Sequence, residues 1–128
     1  MKTYFLDTSV IIDYLRGKEE SVTLVNKLKG KLVSSHICLS ELYEGIYRSK
    51  NNNAESTVLE FFSGLSKTYG LNQKIAQEFG NLRKNLKQKG EIIEDLDIMI
   101  AATCIVYGLT LVTLNKKHFA RIKKLNIV

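Results

Sequence analysis

Apolar positions along the chain follow two periods. Short runs of β-branched, aromatic and leucine residues alternate with longer stretches at i, i+3, i+4 spacing, which predicts alternating strands and helices. Tyr4-Phe5-Leu6 reads as a strand, and Asp7-Thr8-Ser9 as a helix-start signal ahead of Val10, Ile11, Tyr14 and Leu15. Ser21 to Lys29 reads as a helix with Val22, Val25 and Leu28 on one face, and Lys31-Leu32-Val33-Ser34 as the next strand. Leu39, Leu42, Tyr43, Ile46 and Tyr47 form a helical stripe after a cap at Ser35 or Ser40. Ala54 to Lys67 predicts a further helix with Val58, Leu59, Phe62 and Leu65 turned inward.

The second half repeats the alternation. Thr68 to Leu71 fits a short strand, and Asn72 caps an amphipathic helix running through Ile75, Phe79, Leu82 and Leu86 to Gly90. Ile98 to Tyr107 is apolar nearly all round, the mark of a helix buried on most sides, and Gly108 ends it. Leu109 to Leu114 is the strongest strand, followed by a turn and a last short strand from Leu125 to Val128. This order predicts a mostly parallel sheet with helices on both faces. No repeat or long linker interrupts it, so residues 1–128 are expected to form one domain.

Composition narrows the function classes. A chain of 128 residues with 45% apolar content carries enough material for a core without disulfide or metal staples. Cys38 and Cys104 make no disulfide framework and no CxxC motif. The apolar run after Met1-Lys2 is cut short by Asp7, unlike a signal peptide. The stretch from Ile98 is about half the length of a bilayer span. A soluble, reduced, cytoplasmic protein is expected. The net charge of +6, from 19 Lys and Arg against 13 Asp and Glu, suits either a polyanion-binding protein or a lysine-rich surface kept soluble by its charge.

Parallel α/β sheets bind ligands at the carboxyl ends of their strands. Polar residues predicted just after a strand, or in the opening turns of the helix that follows, are therefore the candidates for chemistry. Asp7 follows the first strand, Glu41 lies early in the helix after the second, Asp95 and Asp97 open the buried helix, and Asn115 follows the strongest strand. Of the four aspartates, only Asp13 falls inside a helix away from that edge. Crowded carboxylates raise one another's pKa unless a cation sits among them, and oxygen-only ligands suit Mg²⁺ or Mn²⁺. Such an ion polarises a phosphate and activates a water, which fits phosphodiester hydrolysis.

Each residue also has a simpler role. Asp7 serves as a helix cap, as does Asp97 or Asp95, and Asn115 begins a turn; only the set argues for chemistry. Lys116, Lys117 and Arg121 follow Asn115 directly and are candidates for contact with an RNA backbone. Arg16 joins them if the first helix is short. Lys84, Lys87 and Lys89 read as a solvated helix face, His36 and His118 as surface or loop histidines, and the two cysteines as small buried residues. Tyr43 and Tyr47 read as core or dimer contacts.

At these positions the chain resembles PIN domains, and most closely VapC-type toxin ribonucleases. Leu6-Asp7-Thr8-Ser9 with Ile11-Ile12-Asp13 resembles the family's opening strand and first acidic position, and Ser40-Glu41-Leu42 with Gly45 the second. Asp97-Ile98-Met99-Ile100-Ala101-Ala102-Thr103 resembles the third, and Leu111-Val112-Thr113-Leu114-Asn115 with His118-Phe119 the closing strand and the fourth. The resemblance implies a three-layer α/β/α fold around a mostly parallel sheet of four to five strands. It further implies Mg²⁺- or Mn²⁺-dependent endoribonuclease activity on RNA, a homodimer, and a cognate antitoxin whose tail fills the active groove. Asp7, Glu41 and Asp97 match the three acidic metal positions. Asn115 matches the fourth, where many members have Asp, which leaves fewer negative charges for a second ion; Asp95, or Asp7 bridging two ions, would compensate. Thr8, Ser9 and Thr113 are then hydrogen-bonding neighbours of the metal site. Two other readings remain open: an RNA-binding module of this fold without catalysis, and a phosphatase or DNA nuclease on a related fold.

Overall fold

A computed structural model describes residues 2–128. Five strands form one sheet in the order β3-β2-β1-β4-β5, with every neighbouring pair parallel. β1 (Lys2–Leu6) leads through α1 (Thr8–Leu15) and α2 (Glu19–Lys27) to β2 (Gly30–Ser35). The chain then passes through α3 (His36–Arg48) and α4 (Ala54–Ser63) to β3 (Lys67–Tyr69) at the sheet edge. It returns through α5 (Gln73–Gln88) and α6 (Asp95–Tyr107) to β4 (Thr110–Val112), on the other side of β1. A single turn of helix, α7 (Lys116–Phe119), precedes β5 (Asn126–Ile127). Among the described residues, no helix is long and apolar enough to cross a membrane.

Strand alternation builds a core on each face. Phe5 lies opposite Val33 on one neighbour and Leu111 on the other, and all three face α5, α6 and Phe119 of α7. One residue on, Leu6 lies opposite Val112, and both face a second cluster with Val10, Ile11, Leu42 and Phe62. Because side chains reverse face at every residue, this register gives the strands apolar runs rather than a polar alternation. The helix expected to be buried all round is α6, where Ile98, Ile100, Ala101, Ala102, Thr103 and Cys104 are all buried. Its end is set by Gly108, whose φ of 65° places it in the left-handed region that a side chain disfavours.

Side-chain caps mark the starts of α1, α3 and α5. Asp7 accepts from the Thr8 amide, Ser35 rather than Ser40 accepts from the Cys38 amide at 3.4 Å, and Asn72 accepts from the Ile75 amide at 2.9 Å. At α6 the cap position is Glu94, whose side chain makes no capping bond, so neither Asp95 nor Asp97 serves as the cap expected from the sequence.

Four local features depart from the sequence pattern. α4 stops at Ser63 rather than Lys67, because the Ser66 amide donates to the Leu32 carbonyl at 2.9 Å and the chain turns into β3. Leu59, expected inward, is exposed, while Phe61 packs against Tyr14 at 5.5 Å between ring centroids. β4 ends at Val112, so Leu114 leaves the sheet and is exposed. Tyr47 projects outward with 81% of its surface exposed, because α3 covers the core only along the face that carries Leu42.

Gly30 marks the tightest approach in the sheet. It pairs with Lys2, and a Cβ at this position would lie 2.2 Å from the Lys2 carbonyl oxygen. Overpacking against backbone cannot relax by a rotamer change, so Gly30→Ala is expected to lower stability by about 2 kcal/mol. Urea unfolding of the two proteins checks this as a lower midpoint at unchanged slope.

Candidate active site

β1 is the central strand; the chain leaves it toward β2 on one side and re-enters at β4 on the other. That reversal opens a crevice at the carboxyl ends of β1 and β4, where such sheets bind ligands. Asp7 sits at its floor. It is 4% exposed, stands at the N-cap of α1, and is held by three donors. The Thr8 amide donates to Oδ1 at 2.8 Å; the Ser9 hydroxyl (3.2 Å) and the Thr113 hydroxyl (2.7 Å) donate to Oδ2. The positive end of the α1 dipole adds to this stabilisation of a buried charge. The Asp7 amide itself donates to the Val112 carbonyl at 3.0 Å, and the Leu114 amide to the Ser9 hydroxyl at 3.3 Å, so β1 and β4 are stitched together at the site.

Glu41 approaches from α3. The Thr8 hydroxyl donates to its Oε1 at 2.7 Å. Ligand atoms of Asp7, Cys38 and Glu41 lie within 4.8 Å of one another. Burial raises the Glu41 pKa; the Thr8 bond opposes this, while the charges of Asp7, Asp97 and Glu94 add to it. Asp97, in the first turn of α6, is raised by burial and by Asp7, with His118 opposing and Glu94 adding. Asp7 and Glu41 thus come within ligand distance of each other, whereas Asp97 lies outside that group and is linked to it by charge, its carboxylate and that of Asp7 both raising Glu41. An oxygen donor set of this kind, destabilised when left ionised without a counter-charge, fits a hard divalent cation. The Cys38 thiol is pushed up to about 11, chiefly by burial, so it stands beside the carboxylates as a neutral thiol rather than a thiolate ligand.

The remaining predicted residues divide. Thr8, Ser9 and Thr113 all bond to the carboxylates. Asn115 is tied to this network through its amide, which donates to the Thr113 hydroxyl at 3.0 Å. Asp95 is ion-paired with Arg83 of α5, which engages its carboxylate away from the three others. Arg121 donates to the Ile92 carbonyl at 2.8 Å and lies 3.9 Å from Glu91, so its guanidinium is already occupied. Lys116 and Lys117 are exposed at the start of α7, next to Asn115. α1 is short, eight residues, and Arg16 at its end lines an open groove of about 330 Å³ together with Ile12, Leu15, Glu41, Ile46 and Val58.

The sequence reading misses two residues of this crevice. Glu94 adds negative charge felt by Glu41 and Asp97, and its place three residues before Asp97, at the cap of α6, is the signal in the sequence. His118 is no ordinary surface histidine: its Nε2 lies 3.0 Å from Asp97 Oδ2. Its place one turn after Asn115, in the segment that resembles the family's closing motif, is the hint the sequence offers.

Residues 4–125 match the PIN domain. The chain is 33% identical over 122 residues to Ribonuclease VapC1 of Methanocaldococcus jannaschii, covering 95% of this chain and 82% of that protein. Its fold superposes on a chain of the VapBC2 structure from Rickettsia felis, bound to a promoter DNA fragment, with a TM-score of 0.89, 31% identity and coverage of 98% and 97%. A toxin–antitoxin complex from Klebsiella pneumoniae aligns with a TM-score of 0.80, 25% identity and coverage of 98% and 95%.

The raised Glu41 and Asp97 pKa values have a consequence for stability. Both groups hold protons more tightly in the fold than in the unfolded chain, so their contribution is complete below the ordinary carboxylate range, about pH 4. It is lost as pH rises through the elevated folded values. In EDTA, the urea midpoint is expected to decline over that window, and more steeply than in a Glu41→Gln/Asp97→Asn double variant. Added Mn²⁺ is expected to flatten the decline.

The fold, the crevice and these relatives agree: the chain belongs to the PIN-domain family and groups with its VapC-type members.

Proposed function

We propose that this protein is a Mg²⁺- or Mn²⁺-dependent endoribonuclease that acts as the toxin of a toxin–antitoxin pair. The observation that carries the reading is the approach of Asp7 and Glu41 to within 4.8 Å beside Thr8, with the charge of Asp97 near enough to raise Glu41 further. When bound, a divalent ion would polarise the scissile phosphate and lower the pKa of a water beside it. Asp7, Glu41 and Asp97 would hold the ion. Asp7 contributes a charge already fixed in place by Thr8, Ser9 and Thr113. Glu41 would be steadied by the Thr8 bond to Oε1 and Asp97 by the His118 contact at Oδ2.

The surrounding charge supports an RNA substrate. Lys116 and Lys117 emerge beside the crevice and would neutralise phosphates flanking the scissile bond, with Arg16 on the groove side. Arg121 is a weaker candidate because its guanidinium is already paired. The groove that Arg16 lines runs from apolar Ile12, Leu15 and Val58 to Glu41, and would suit an antitoxin segment lying on apolar walls with its end at the carboxylates. The ribonuclease name of the Methanocaldococcus jannaschii relative and the toxin–antitoxin complex from Klebsiella pneumoniae support both halves of the reading.

Asn115 favours one alternative, an RNA-binding protein of this fold with weakened catalysis, because it removes a charge from the fourth position of the site. The two readings separate in a cleavage assay. Purified protein with Mg²⁺ or Mn²⁺ is expected to cut RNA. Asp7→Asn and Asp97→Asn are each expected to lose more than the roughly 10–100-fold that supporting residues of a metal site cost. Excess EDTA is expected to stop the reaction. Salt-sensitive RNA binding with no product under any divalent metal would establish the alternative.

A further inference from the structure

We infer that His118 is a positioning residue for Asp97: its ring N–H holds one carboxylate oxygen so that the other is presented to the ion. This rests on the reading of Asp97 as a metal ligand. Each carboxylate of the crevice has its own protein donor. Asp7 is held by Thr8, Ser9 and Thr113, and Glu41 by the Thr8 hydroxyl. Asp97 has His118, at 3.0 Å from Nε2 to Oδ2, and among the described residues no other side chain donates to it. With Asp97 ionised, the ring nitrogen is the donor.

The ring is well placed to hold an orientation. α7 is a single turn, but Phe119 beside the histidine is fully buried, and the two rings meet edge to face at 5.7 Å and 83°. The His118 amide donates to the Asn115 carbonyl at 3.1 Å, so the backbone carrying the ring is closed into its turn. The histidine side chain is 30% exposed and the aspartate 22%, so water competes only in part for the bond. Without it, the carboxylate of Asp97 would swing about its last torsion, which is broad and soft. The segment whose Asn115 supplies no fourth carboxylate thus supplies a donor to the third.

A latch between α7 and α6 would use the same bond, so the test separates orientation from anchoring. His118→Gln carries an amide N–H that reaches the place of Nε2, whereas His118→Ala carries no donor. Mn²⁺ affinity is measured on the full chain by calorimetry, thermal midpoints are measured in EDTA, and RNA cleavage is followed in parallel. His118→Ala is expected to bind Mn²⁺ about 10–100-fold more weakly, the cost typical of removing a residue that orients a metal ligand. His118→Gln is expected to recover most of that loss. In an Asp97→Asn background, His118→Ala is expected to weaken Mn²⁺ binding no further. Wild-type affinity in His118→Ala overturns the inference. So does a glutamine variant that regains the thermal midpoint but not the affinity, an equal loss in the Asp97→Asn background, or a wild-type chain that holds no Mn²⁺. Cleavage is scored separately: wild-type protein that binds Mn²⁺ but leaves RNA intact removes the proposed activity while leaving the His118 result to stand on affinity.

Discussion

Repulsion among three carboxylates is the constraint around which this molecule is arranged. Asp7 and Glu41 lie within ligand distance, burial with the charges of Asp7 and Asp97 raises the pKa of Glu41, and burial with Asp7 raises that of Asp97. An unbalanced cluster of this kind works against the folded state. The structure answers with donors aimed at individual oxygens and with helix starts: Asp7 caps α1, Asp97 lies in the first turn of α6, and both therefore sit at the positive end of a helix dipole. What these devices leave uncompensated is negative charge, at a cluster that could hold a metal ion.

The sheet supplies the geometry. β1 lies between β2 and β4, so the crevice opens where its last residue gives way to Asp7. Thr113, 106 residues away in sequence, reaches Asp7 directly, and its hydroxyl also accepts the Asn115 amide. A shift of β4 by one residue against β1 would turn Val112 away from the face it shares with Leu6 and take Thr113 away from Asp7. The two apolar cores therefore do more than stabilise: by specifying register they specify the site. Cys38, neutral and fully buried, closes the wall behind Asp7 without adding charge.

The charge pattern joins the site to its proposed partners. A chain of net charge +6 sets the carboxylates of Asp7 and Glu41 side by side, with Lys116 and Lys117 exposed on the turn after Asn115. The positive exterior draws a polyanion in and lowers the cost of bringing phosphates near carboxylates. Arg16, at the end of a short α1, places a cation on the groove that leads to Glu41, so a polyanionic chain and a protein segment would meet the pocket from neighbouring sides.

Local pattern alone determined much of this. The period of apolar residues marked every strand and every long helix, because amphipathicity is written in neighbouring positions. The order of elements placed Asp7, Glu41, Asp97 and Asn115 near one edge before any coordinates, because each helix that follows a strand in a parallel sheet starts at that edge. Element ends and side-chain partners were decided elsewhere. α4 is cut short by a bond from Ser66 to Leu32, and Asp95 is drawn off by Arg83. Asp97 finds His118, which in sequence looks like any exposed histidine. Spacing along the chain reports which face a residue occupies, but a hydrogen bond depends on distances between elements far apart in sequence, and only the packing of α6, α7 and the sheet sets those.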